Sequence, residues 1–140
     1  MIFDFLKKKG THGRIEIPSL RIGVPLYNSN GNAQEIVDAK NSAVFLEWKD
    51  QVAIADHSGQ DGFERLAKAV PYKTMARIDY KGKEYYLCTK KQVGHIVNNK
   101  LYDSEWRRVE SGGLVIYTCI GKSAEDVMDV WLTYWKRIYI

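Results

Sequence analysis

Short apolar runs set off by turn-forming clusters are the feature of this sequence that most restricts its fold. Residues 14–17 alternate polar and apolar side chains, Pro18 interrupts them, and an extended run with a second proline, Pro25, continues to Tyr27. Asn28-Ser29-Asn30-Gly31-Asn32 then forms a dense turn cluster, because Asn and Gly tolerate left-handed backbone angles. Residues 43–46 and 52–55 are apolar runs of the length of buried strands. Residues 77–80 and 84–90 flank Lys81-Gly82-Lys83, a hairpin signal, and residues 93–97 read as a further strand. Residues 101–109 read as irregular or helical. Ser111-Gly112-Gly113 breaks the chain before the strand-like run 114–119, and residues 130–140 read as the last strand. About eight short strands predict a mainly β chain, a closed eight-stranded β-barrel, with short helical turns near residues 33–40, 63–70 and 123–129.

The chain has 140 residues, within the usual size of one domain, so a single core is expected. Residues 1–13 read as a polar lead-in and residues 14–140 as the domain proper. Hydrophobic residues make up 45% and charged residues 27%, which excludes a disordered chain. A net charge of +4 is a mild basic bias that would suit an anionic surface without selecting one. The basic pairs and triplets are scattered along the chain and read as solvated surface charge. No stretch approaches the ~18 apolar residues of a membrane span, and residues 1–9 are too short and too charged for a signal-peptide core.

The two cysteines are too few for a disulfide framework, and their surroundings differ. Cys119 closes an apolar run and is followed at once by Ile120-Gly121-Lys122, so it stands at a strand end from which a side chain projects into a groove. Its reactive form is the thiolate, which a neighbouring cation would favour. The alternative is a buried, inert thiol, and Cys88, inside Tyr85-Tyr86-Leu87-Cys88-Thr89, reads that way. His57 follows a short apolar strand and Asp56 at the point where the chain turns into a glycine-containing loop, the best placement of the three histidines for proton transfer. His12 and His95 read as structural. Asp56 and Asp61 are read as solvated turn formers, and no residues have the paired spacing of a zinc site or a phosphate loop. No metal and no cofactor are expected.

Taken in order, these features resemble the sortase family. Ile15-Glu16-Ile17-Pro18 with the later Pro25-Leu26-Tyr27 is similar to the opening strand pair of sortases, and Ala53-Ile54-Ala55-Asp56-His57 resembles their histidine segment. Phe63-Glu64-Arg65-Leu66 matches the family's F-x-x-L turn. Leu114-Val115-Ile116-Tyr117-Thr118-Cys119 is similar to the T-L-x-T-C signature, with Val115 at the first Thr and Ile116 at the Leu. The resemblance implies that Cys119 attacks the carbonyl of a sorting-signal peptide to give a thioester. It also implies that His57 protonates the leaving amine and deprotonates the incoming one. The partners it implies are a sorting-signal peptide of a surface protein and an amine nucleophile, such as a peptidoglycan cross-bridge or a pilin lysine. The location it implies is the extracytoplasmic face of a bacterial membrane.

The sequence departs from the family at the arginine that sortases carry about eight to thirteen residues after the cysteine. Val127, Met128, Asp129, Val130, Trp131 and Leu132 occupy that window. Arg137 is the nearest arginine downstream and Lys122 lies three residues beyond Cys119, and these two are the candidate cations for the oxyanion. Arg137 would lie roughly 23 Å along a strand that begins near Val130. Two functions follow from the resemblance: a cysteine transpeptidase or protease, and a sortase-fold peptide-binding or accessory protein without turnover. A small basic barrel that binds single-stranded nucleic acid is a third, but no RNA-binding motif accompanies it and no nucleic-acid partner is expected.

Overall fold

Ile15, Ile17, Ile22, Val24 and Leu26 are buried while most residues between them are not, and this two-residue period folds the first segment into a hairpin. The structure is a computed structural model that describes residues 12–28, 43–48, 51–56, 63–79, 82–109 and 113–140. Strand β1 (His12–Ile17) pairs antiparallel with β2 (Ile22–Asn28), Ile15 opposite Val24. Pro18 starts the 3-10 turn Pro18–Leu20 that joins them, and the N–H of Arg21, in the left-handed region, donates to the Pro18 carbonyl at 3.0 Å. Pro25 has no N–H to give a ladder, and β2 meets its second neighbour only from Leu26 onward.

The remaining strands are β3 (Ala43–Trp48), β4 (Gln51–Asp56), β5 (Met75–Asp79), β6 (Lys83–Val97), β7 (Lys100–Tyr102), β8 (Gly113–Ala124) and β9 (Val127–Ile138). They form one sheet in the order β5-β1-β2-β3-β4-β8-β9-β6-β7, with β5 also paired to β6. That extra pairing brings the sheet round on itself, and β7 hangs from β6 outside the ring. Among the described residues the β2–β3 contact is three register pairs long, so the curled sheet is less evenly closed there than the cylinder expected. The mainly β, barrel-like reading holds.

Two apolar clusters lie on opposite faces of β4, β8 and β9. The inner one gathers Ile15, Ile17, Leu26, Ile54, Ile116 and Trp135, with Phe63 and Leu66 from the 3-10 turn Phe63–Lys68 plugging it. The outer one joins Ala53, Val115, Val130 and Leu132 to Leu101 and Val109. Strands covered on both faces lose the polar alternation of a half-exposed strand, which is why residues 114–119 read as one apolar run. Phe63 has no exposed surface. Phe63→Ala is expected to cost about 3–5 kcal/mol, seen as a lower urea midpoint at unchanged slope.

Two expectations change. Residues 123–129 are not a helical turn: β8 and β9 meet in a hairpin at Glu125 and Asp126, Ala124 opposite Val127. Burial of Val130 and Leu132 on the sheet outweighs the helical preference of Ala and Glu in the turn. Residues 84–90 and 93–97 are not separate strands but parts of the 15-residue β6, joined through a bulge between Cys88 and Lys90. Residues 33–40 lie outside the described residues.

Candidate active site

β8 is held in place from both sides. It runs parallel to β4, with Ala55 opposite Tyr117 and Asp56 opposite Thr118, and antiparallel to β9, with Cys119 opposite Val130. Beneath it, the Thr133 hydroxyl donates to the Ile116 carbonyl at 2.7 Å and accepts from the Trp135 indole N–H at 2.7 Å. Both bonds are buried, so neither group competes with water for its partner.

Val115, Tyr117 and Cys119 share the outer face of β8 by the two-residue period. Cys119 is half-buried, and that burial pushes its thiol above the ordinary range. Burial also pushes the Tyr117 hydroxyl up to about 12, with a second contribution from the negative charge of a Cys119 thiolate. Cys88 is fully buried on the inner face, raised by burial, with its thiol directed to the Lys90 carbonyl at 3.7 Å. The two cysteines therefore differ in access.

A bulge follows Cys119. Gly121 is the next residue in register, opposite Asp129, so Ile120 is the extra residue. Lys122 then pairs with Met128, and Val130 and Met128 stand on the same face of β9. Without the bulge an i, i+3 pair would fall on opposite faces. With it, Lys122 shares the face of Cys119, about 7 Å of strand away. Lys122 itself is exposed.

Arg137 is not brought to this place. It sits opposite Tyr86 on β6, pairs with Glu84 at 3.1 Å and lies over the Tyr139 ring at 4.8 Å. His57 lies outside the described residues. The residue before it, Asp56, is the last of β4 and stands opposite Thr118, the residue before Cys119.

The fold has counterparts among solved structures. Streptococcus agalactiae sortase C1 in complex with MTSET matches with a TM-score of 0.61 at 20% identity, over 91% of this chain and 69% of that one. The pilus-related sortase C of Group B Streptococcus matches with a TM-score of 0.64 at 18% identity, over 97% of this chain and 71% of that one. The chain has the sortase fold. Clostridium perfringens sortase C with the C-terminal cell wall sorting motif matches at 0.62 and 17% identity, over 91% and 70% of the two chains. No protein-family model matches the sequence, and no curated protein matches it.

On this sortase fold the outer face of β8 and β9 is walled by the segment that follows β6. Leu101 and Val109 pack on it, and the Val109 N–H donates to the Leu101 carbonyl at 2.9 Å. Asp103 ties the intervening turn: its Oδ1 accepts from the N–H groups of Glu105 at 2.8 Å and Arg107 at 2.9 Å. Gly94 allows this segment close, since a Cβ there would meet the Tyr102 carbonyl oxygen at 2.7 Å. Cys119 thus lies beside a wall and not on an open sheet.

One polar cluster was not legible in the sequence. His95 Nδ1 donates to Asp129 Oδ1 at 2.7 Å, Ser123 Oγ donates to the same oxygen at 2.9 Å, and the His95 ring stacks on Trp106 with centroids 4.1 Å apart. The hydrogen bond from His95, then that from Ser123, holds the Asp129 carboxyl below the usual carboxylate range. The three polar residues come from β6, β8 and β9, so only the strand register reveals them. They tie the tip of the β8–β9 hairpin to β6, the structural part assigned to His95 from sequence. Among the described residues no group of His, Cys, Asp and Glu could hold a metal ion.

Proposed function

We propose that this chain is a cysteine transpeptidase of sortase type, with Cys119 as nucleophile, His57 as proton carrier and Lys122 as the cation of the site. The observation that carries the reading is the register of Asp56 with Thr118, because it sets the residues before His57 and Cys119 opposite each other on paired strands. The thiolate of Cys119 adds to the peptide carbonyl carbon, and the carbonyl π electrons move to oxygen. Collapse of that oxyanion breaks the C–N bond, the amine leaves with a proton from the His57 imidazolium, and a thioester remains. An incoming amine attacks the thioester, His57 takes its proton, and the thiolate departs. Water in place of the amine gives hydrolysis. The Lys122 ammonium, on the face of Cys119, stabilises the oxyanion that forms in both steps.

The substrate proposed is a sorting-signal peptide. It is supported by the fold shared with a Clostridium perfringens sortase C that was solved with its C-terminal cell wall sorting motif. The acceptor proposed is a primary amine, and the place of action an extracytoplasmic membrane face. Among the described residues no helix is long and apolar enough to cross a membrane.

A sorting-signal-like peptide that carries a thiol-directed electrophile tests the reading. Mapping the adduct by mass spectrometry is expected to find it on Cys119 in preference to Cys88, because a peptide groove delivers the electrophile to one sulfur. Equal modification of both thiols in the folded protein would favour the second reading, a sortase-fold binding or accessory protein without turnover. That reading is supported by the absence of arginine from residues 127–132 and by a Cys119 thiol that burial holds in its neutral form.

A further inference from the structure

A cavity of about 440 Å3 opens between the Pro18–Leu20 turn, the Phe63–Lys68 turn and the loop that leads into β5. Arg21, Arg65, Lys68 and Lys73 line it, together with Ser19 and Thr74, and no carboxylate does. Elsewhere on the molecule Arg14, Arg77, Arg107 and Arg137 each face a carboxylate within 4.0 Å. Among the described residues the four cations of the cavity face none. Glu64 is adjacent in sequence to Arg65, but it is exposed and does not line the cavity. Like charges gathered round one concavity raise its potential, and an anion that enters relieves their repulsion.

The walls are built before any ligand arrives. Arg65 Nη1 donates to the Arg21 carbonyl at 2.8 Å, which spans the two 3-10 turns and fixes the plane of the guanidinium while its other N–H groups remain available. Arg21 is itself fixed by its N–H bond to Pro18. Opposite, the N–H groups of Lys73 and Thr74 both donate to the Val70 carbonyl at 3.0 Å, and Thr74 Oγ1 accepts from the Val70 N–H at 2.8 Å. Thr74 is only 3% exposed, so the turn that carries Lys73 is anchored in the body of the protein.

We propose that this cavity binds a phosphate group. Two guanidinium and two ammonium groups round one concavity suit a tetrahedral, multiply charged oxyanion better than a single carboxylate, which one bidentate arginine satisfies. Val70, which lines the cavity, is exposed and offers apolar contact to the organic part of a phosphate ester. The ester comes from a soluble phosphate or from a lipid headgroup. None of the lining residues belongs to β8 or β9, so the site stands apart from Cys119 and does not depend on its chemistry.

Titration of the full chain with glycerol phosphate, followed by amide chemical shifts, tests the soluble source. Sedimentation with phosphatidylglycerol vesicles, against phosphatidylcholine vesicles, tests the lipid source. Saturable binding is expected in at least one arm, weakening with added salt, and the paired substitution Lys68→Glu with Lys73→Glu should weaken it at least tenfold. Both side chains are exposed, so the fold should survive, which circular dichroism checks. Arg65→Gln is the second variant and should weaken binding by removing the guanidinium that spans the two 3-10 turns. Lys136→Gln, on an exposed position of β9, should leave it unchanged. Absence of binding in both arms would overturn the proposal, as would binding that survives the cavity substitutions or falls equally with Lys136→Gln.

Discussion

His57→Ala is expected to slow the labelling of Cys119 at pH 7 by about a hundredfold or more and to leave Cys88 unchanged. Burial alone drives the Cys119 thiol upward, towards the neutral form. An imidazolium beside it acts in the opposite direction, because it stabilises the thiolate and lowers the pH at which it forms. The signs therefore separate in a pH profile. With His57 present, the labelling rate should level off near or below neutrality. In the variant it should rise about tenfold per pH unit through neutrality and level off only above the ordinary thiol range of ~8.5. Superimposable profiles for the two proteins would remove His57 from the mechanism and leave Cys119 as a buried thiol on an accessory protein. Cys88 is the internal reference, since its own rise comes from burial on the inner face, where the outer-face chemistry does not reach.

The strands that sequence revealed are those whose burial follows a simple period. β1 and β2 show it outright, with Ile15, Ile17, Ile22, Val24 and Leu26 inside. β4 and the first half of β8 show it as short apolar runs because both faces are covered, Ala53 and Val115 outward, Ile54 and Ile116 inward. The period fails at bulges. In β6 the extra residue between Cys88 and Lys90 shifts the face on which later side chains emerge, so Lys91 and Gln92 read as an interruption within one continuous strand. In β8 the extra Ile120 hides the fact that Lys122 returns to the face of Cys119. The hairpin at Glu125 and Asp126 was hidden by composition, since Ala, Glu and Asp carry no strand preference of their own. Cys119 was expected at a strand end, but β8 continues through it to Ala124, so it stands beside a bulge within the strand. The contact between His95 and Asp129 was not legible, because it exists only through the pairing of β6 with β9.

Replacing Lys122 by methionine is expected to lower acyl transfer from a sorting-signal peptide by about 10²–10³-fold, the usual effect of removing one group that stabilises the oxyanion. The bulge after Cys119 makes the substitution informative, since it sets Lys122 opposite Met128, and Met128 falls in the window where sortases usually carry arginine. The cation on this chain would then come from β8 and not from β9. It follows that Met128→Arg in the Lys122→Met protein should recover part of the lost rate, and in the parent should raise it, because a planar guanidinium offers a paired set of donors that an ammonium lacks. Met128 packs at the edge of the outer cluster, so the change should cost about 1–2 kcal/mol of stability, and a melting curve separates that loss from the catalytic gain. Arg137→Met serves as the control, expected to leave the rate unaltered because its guanidinium is engaged with Glu84. A Lys122→Met protein that acylates as fast as the parent would sink the assignment of Lys122. Recovery by Met128→Arg, in contrast, would fix the side of the Cys119 sulfur on which the oxyanion forms, since only the outer face of β9 carries that position.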